Sequence, residues 1–297
     1  MITYSKVTEI FCIVDEFCKE FDKHTKPFLI GRPSKRPRIM SQSEVITIMI
    51  LFHMSGFKCF KHFYIHYVKV HMKSEFPNTV SYNRFTELQQ KSILPLTMFL
   101  KLFRKGDCTG ISFVDSTCIR VCKNKRIKQN KVFKEIAKVG KSTMGWFYGF
   151  KLHLIINDKG EILSFTITPA NVDDRTPLKQ EGFIKAIFGK LFADKGYISK
   201  KLTKMLFVDG IHLITSIRNK MKNSLMNMSD KILLRKRSII ETVNDELKNM
   251  CQVEHSRHRS VGNFFTNLIA GLIAYSFFPK KPSIKYRKMN TNQLAIF

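Results

Sequence analysis

Three carboxylates stand out in an otherwise cationic chain: Asp115, Asp194 and Glu241. Asp115 lies within residues 110–121, where beta-branched and aromatic neighbours bounded by Gly110 predict a largely buried strand. A carboxylate there is costly unless a metal ion or a basic group holds it, although a strand-end aspartate can also simply cap a turn. Residues 191–194, a short apolar run ending in Asp194 ahead of Gly196, repeat the strand-to-turn pattern. Glu241 belongs to residues 238–248, which mix Ile, Val and Leu with carboxylates and predict a helix. Oxygen donors of this kind select a hard cation, Mg2+ or Mn2+. Two such ions roughly 3.5–4 Å apart would activate a water or sugar hydroxyl on one side of a phosphodiester and stabilise the leaving oxygen on the other. Spacing alone does not single out this triplet, because a chain of this length holds many sets of three carboxylates.

The elements that must position these groups sit in a chain of 297 residues, long enough for a catalytic domain and a smaller one. Lys and Arg number 51 against 23 Asp and Glu, and the formal charge of +28 calls for a polyanionic partner, nucleic acid before a membrane surface. Seven cysteines in no regular pattern exclude a disulfide framework and fit a reducing cytoplasm. Cys118 and Cys122 lack a second pair at zinc-ligand spacing. The first residues do not read as a secretion signal, and the expected location is cytoplasmic. Residues 261–278 carry no charge, but Asn263, Thr266, Asn267 and Ser276 interrupt them, which predicts a buried helix and no membrane span.

In chain order, apolar residues from Val7 to Phe21 at steps of three and four predict an amphipathic helix. An extended basic arm over residues 31–38 follows, with Arg32, Lys35, Arg36 and Arg38 as candidate phosphate or minor-groove contacts, or else a solvated linker. Ser41 and Glu44 have capping-box spacing ahead of an apolar helix that Gly56 can end. Residues 57–71 predict a second helix and Ser81 caps a third, a set compatible with a helix-turn-helix. Strands are predicted over 111–121, 148–156 and 161–168, with a hairpin turn at 157–160. Residues 120–141 hold nine cations and one acid and read as a DNA-facing or solvated loop. A helix over 175–188, another near 199–207, and a strand at 212–217 complete an alternating pattern. The expected organisation is a helical DNA-binding domain over 1–105, a catalytic domain over 106–279 and a basic tail over 280–297.

The chain resembles the DDE transposases of bacterial insertion sequences, most nearly the insertion-sequence 982 family, through residues 114–117, 145–154, 169–175, 193–197 and 237–248. The resemblance implies an RNase H-like core in which a mixed five-stranded sheet is flanked by helices, an α/β (mixed α+β) fold preceded by the helical domain. It implies Asp115, Asp194 and Glu241 as catalytic metal ligands for two Mg2+ or Mn2+ ions. The tyrosine, arginine, glutamate, lysine signature of the wider group fits Arg237, Glu241 and Lys248, whereas its tyrosine slot holds Leu234. The signature favours Glu241 over the rival Glu246, five residues further along the helix. Lys248 shares the helical face of Glu241 and is, with Arg237, a candidate phosphate contact. Arg257 and Arg259, within residues 255–259, are further phosphate-binding candidates.

The activity implied is cleavage at terminal inverted repeats to free 3'-hydroxyls and their transfer to target DNA, by a dimer or larger assembly on double-stranded DNA. The alternatives are an inactive DNA-binding derivative and a nuclease of the same fold without strand transfer. Asn171, Asp173 and Asp174 are expected to shape a turn near the site, an extra ligand role being the lesser alternative. His153 reads as a core histidine before a DNA contact, and Trp146 as either a core side chain or a platform for an exposed base.

Overall fold

The computed structural model describes residues 2–25, 38–103, 105–217, 221, 225–254, 258–285 and 294–296. The chain divides into two compact units, Met1–Arg104 with Glu246–Phe278, and Lys105–Asp245 with Pro279–Phe297. Residues 246–278 group with the N-terminal helices.

The helical unit begins with α1 (Tyr4–Thr25), which buries Val7, Ile10, Val14, Phe17 and Cys18 along one stripe. In α2 (Gln42–Met54), Ser41 accepts from the Glu44 amide while the Glu44 carboxylate accepts from Ser41, the full capping box. Gly56, at φ +75°, then turns the chain away in a conformation that side chains resist. Helices α3 (Phe60–His62) and α4 (Lys69–His71) are joined by a π-helical stretch, Phe63–Val68, which buries Phe63, Tyr64 and Val68. Next come α5 (Tyr82–Lys91), capped by Ser81, and α6 (Ile93–Phe103), a helix outside the sequence expectation.

The sheet unit holds β1 (Ile111–Cys122), β2 (Lys138–Ser142), β3 (Gly145–Asn157), β4 (Ile162–Pro169), β5 (Gly189–Ala193) and β6 (Ile211–Thr215). Strands β1, β3 and β4 form an antiparallel meander, and β5 and β6 then add in parallel beyond β1. This is the expected mixed sheet, its five strands β1, β3, β4, β5 and β6 joined by an additional one, β2. β2 forms within the cationic stretch expected to be a loop, pairing with the start of β3 through a tight turn at Ser142–Gly145, while β4 takes the rest of the same β3 edge. Residues 175–188 are also less helical than expected. Pro177 and the turn at Gln180 leave only a single 3-10 turn (Pro177–Lys179) and the short α7 (Glu181–Ile184). α8 (Lys200–Val208), α9 (Met228–Arg235) and α10 (Ile239–Asn249) follow, and β7 (Leu225–Asn227) pairs with β8 (Leu294–Ile296). α11 (Val261–Ser276) returns to the helical unit.

That unit closes around α11, which is buried on nearly every side and packs against α2, α5 and α6. Each fully buried Leu or Ile of such a helix contributes about 1.5–3 kcal/mol, which explains why residues 246–278 join the N-terminal helices. In the sheet unit, Val114, Leu191 and Ala193 face a cluster containing Phe183, Leu202 and Leu206. The rings of Phe113 and Phe192 stack 5.5 Å apart.

β3 can lie so close to β1 because Gly149 has no side chain. A Cβ there would stand 2.1 Å from the carbonyl oxygen of Ile119. Gly149→Ala should therefore destabilise the fold by roughly 1–3 kcal/mol, the usual cost of overpacking. Urea denaturation checks this, and an unchanged midpoint would contradict it.

Candidate active site

β1 and β5 bring two of the carboxylates to one place. The parallel pairs are Ile111↔Lys190, Ser112↔Leu191 and Phe113↔Phe192, and two residues further along each chain stand Asp115 and Asp194. By the alternation of strand side chains, Asp115 shares the Phe113 face, opposite the cluster that takes Val114. The Asn244 amide of α10 donates to Asp115 Oδ2 at 3.2 Å, so this helix lies over the Asp115 side chain. Ile239, Ile240, Val243, Asn244 and Leu247 are its buried positions, leaving Glu241 exposed one turn before Asn244.

Two of the three carboxylates, Glu241 and Asp194, come together at Arg237, whose charge also acts on Asp115. Its Nη2 donates to Glu241 Oε1 at 3.0 Å and lies 3.9 Å from Asp194 Oδ1. Burial is the main influence on Asp115, pushing its carboxyl up to about 6. The Ser116 amide and Arg237 oppose that shift, and Glu241 and Asp174 reinforce it. Asp194 caps the turn Lys195–Tyr197 by accepting from the Lys195 amide at 2.6 Å, a structural role in its own right.

The donor set suits a hard cation, being all oxygen and close to a half-buried carboxylate that resists ionisation without a counter-charge. Among the described residues, no three acidic, His or Cys side chains are gathered tightly enough to hold a metal ion as they stand. Arg237 occupies the space between Glu241 and Asp194 and supplies the positive charge there.

Four neighbours of the site escape a reading of residue types. Asn244 is one. Ser116 Oγ donates to Asp174 Oδ1 at 2.8 Å, and Lys151 Nζ donates to the same oxygen and to the Val172 carbonyl, both at 2.9 Å. Asp174 is thereby held beside Asp115 by its own partners, while Asp173 pairs with Arg175 at 2.6 Å. Tyr197 is buried against Val114, and burial followed by the charge of Asp115 pushes its phenol well above the ordinary range. Only the alternation of β1 and the adjacency of Asp194 to Tyr197 hint at these contacts in the sequence.

The remaining candidates divide. Lys248 ion-pairs with Glu254 at 3.5 Å in the helical unit. Arg38 and Arg259 are exposed, whereas Arg32, Lys35, Arg36 and Arg257 lie outside the described residues. His153 is a core residue, as expected: fully buried, bonded through Nε2 to Thr168 Oγ1 at 2.8 Å and depressed to about 4 by burial. Trp146 is not core. It is 61% exposed, with the Lys141 ammonium 5.8 Å from its ring centroid, at the edge of a groove of about 410 Å³ that Lys151 and Asp174 also line.

Residues 105–261 match the family described as Transposase DDE domain. No curated protein matches the chain. Among solved structures, a cryo-EM structure of the piggyBac transposase synaptic complex with hairpin DNA aligns with 10% identity and a TM-score of 0.44, covering 93% of this chain and 71% of that one. No helix among the described residues is long and apolar enough to cross a membrane.

Proposed function

The chain belongs to the Transposase DDE domain family, and from that premise we propose that it is an insertion-sequence transposase, of the 982 type, that cleaves phosphodiesters at the ends of its element and joins the freed 3'-hydroxyls to target DNA. The observation that carries this reading is that Arg237 pairs with Glu241 and lies 3.9 Å from Asp194, while its charge acts on Asp115, the two aspartates following neighbouring parallel strands. Mg2+ or Mn2+ bound by these three side chains would supply a nucleophile at neutral pH and charge stabilisation for the leaving oxygen. Arg237 is suited to follow the charge, pairing with the carboxylates in the free protein and with a phosphate oxygen once DNA arrives. Asn244 holds Asp115 in place from the helix that carries Glu241.

The net charge of +28 favours DNA as the partner. Joining two ends requires two such sites, hence an assembly of at least two chains on DNA. A nuclease without strand transfer would use the same groups. The deciding experiment incubates the chain with labelled DNA from either side of its reading frame and a supercoiled plasmid. Labelled strand joined to the plasmid with Mg2+ or Mn2+, and lost on adding chelator, is the expected result. Cleavage without joining would leave the nuclease, and neither product would remove the reading.

Asn244→Ala should lower cleavage roughly 10–100-fold, the usual effect of removing a group that orients a metal ligand. Gel-shift affinity for DNA should not change. Full activity in this variant would leave the Asn244–Asp115 contact with a structural role alone.

A further inference from the structure

The helical unit contains a cavity of about 610 Å³ that none of the chemistry above uses. Its walls come from the segment around α3, from α5, and from His258 through the start of α11. The rim carries the exposed cations Lys58, Lys61 and Arg259, and no carboxylate lines it. Two helices begin here, α5 behind Ser81 and α11 behind Ser260, neither with an acidic residue in its first turn. Their amide ends add to the positive potential of the rim.

The interior differs from the rim. Phe60 and Tyr82 supply aromatic surface, with the Lys61 ammonium 5.8 Å from the Tyr82 ring centroid. Gln89 and Asn267, 5% and 3% exposed, bring amides to the wall. Asn267 Nδ2, Asn263 Oδ1 and His258 Nε2 are buried without a hydrogen-bond partner. Buried polar atoms left unpaired are costly and are normally satisfied. The residues that carry these atoms line one cavity, together with aromatic rings and three cations. A nucleobase presents both kinds of edge group and a π-face, and carries an anionic phosphate on its sugar.

We propose that this cavity binds one unpaired nucleotide of a DNA strand, the base among Tyr82, Gln89 and Asn267 and the phosphate at Lys58, Lys61 and Arg259. The choice of DNA rests on the function proposed above, while the site itself rests on the cavity. A fully paired base hides both its hydrogen-bonding edge and its faces, so a paired duplex would meet only the rim.

Cys59 gives a direct reporter, because it lines the cavity and is exposed, while Cys12 on α1 is exposed and does not line it. The full chain, without metal, is alkylated with iodoacetamide in the presence of a short duplex bearing one unpaired nucleotide, the same duplex fully paired, or dAMP. Modification at each cysteine is followed by mass spectrometry. The bulged duplex should slow alkylation of Cys59 by about tenfold, as expected for one stacked base and its phosphate contacts, and leave Cys12 unchanged. Lys61→Ala and Arg259→Ala, both at exposed positions, should remove that protection without moving the melting temperature. Equal protection by paired and bulged duplexes would overturn the proposal, and so would protection by dAMP that the strand does not improve. If gel shifts show binding to both duplexes while Cys59 stays reactive, this proposal fails and the DNA-binding reading stands. If neither duplex binds, the function proposed above fails with it.

Discussion

Asp115→Asn should reduce metal-dependent strand cleavage and joining by roughly 10³-fold or more, since loss of an ion's several kcal/mol of charge stabilisation translates to that range. The substitution keeps the shape of the side chain and removes only its charge. Asn244 would still find an oxygen to donate to, so the helix that carries Glu241 keeps its contact with β1. The fold gives a second readout that separates this outcome from misfolding. Burial holds the Asp115 carboxyl up at about 6, against an ordinary value of 3.8. Its contribution to stability is thus full below about 3.8 and lost as the pH rises through about 6. At pH 8 the metal-free wild type carries an ionised group that the site disfavours, and the neutral amide removes that cost. The variant should therefore melt at or above the wild-type temperature at pH 8, with DNA affinity in gel shifts unchanged. Retained cleavage would remove Asp115 from the proposed ligand set, and loss of activity with a lowered melting temperature would point to damage of the sheet.

The strands that place Asp115 and Asp194 are legible in the sequence because both are short apolar runs interrupted by one carboxylate. The helix of Glu241 is legible from its periodicity. The sequence does not reveal how these elements meet. Asn244 is an ordinary amide until the packing of α10 against β1 brings it to Asp115. Arg237 fits a signature as a phosphate contact, yet its partners in the free protein are Glu241 and Asp194. Residues 120–141 look like a loop because their charges mask a strand whose pairing is set by β3, and edge strands tolerate such charge. The domain boundary is hidden for a related reason. Nothing in the local sequence ties residues 246–278 to the N-terminal helices, and only the burial of α11 against α2, α5 and α6 assigns those residues to the helical unit. Such contacts between distant segments leave no local periodicity to read.

Acidification should unfold the helical unit well before the carboxylates of the molecule are fully protonated. His53 is 1% exposed on α2, where its Nδ1 bonds the carbonyl of Cys251, and burial holds it down at about 4 from an ordinary 6.5. The bonds to Cys251 and Asn267 favour the charged ring but do not overcome burial. His258 is likewise depressed to about 4, by burial first and by the proximity of His53 second, so the two rings resist protonation together. For a base whose folded value lies below its unfolded one, the stabilisation is complete above pH 6.5 and is lost as the pH falls toward 4. His53 alone accounts for roughly 3 kcal/mol across that window, a large share of the margin of a typical domain. In the sheet unit the raised carboxyl of Asp115 acts with the opposite sign, gaining stability as the pH falls below about 6. Hydrogen exchange followed by mass spectrometry at pH 7 and pH 4.5, corrected for the intrinsic pH dependence of exchange, checks both signs at once. Peptides from α2 and α11 should lose protection at the lower pH, while the β1 and β5 peptides keep theirs. Protection of α2 and α11 that holds across the window would mean that the rings accept protons without cost, and with that the assignment of His53 as a buried neutral residue would fall.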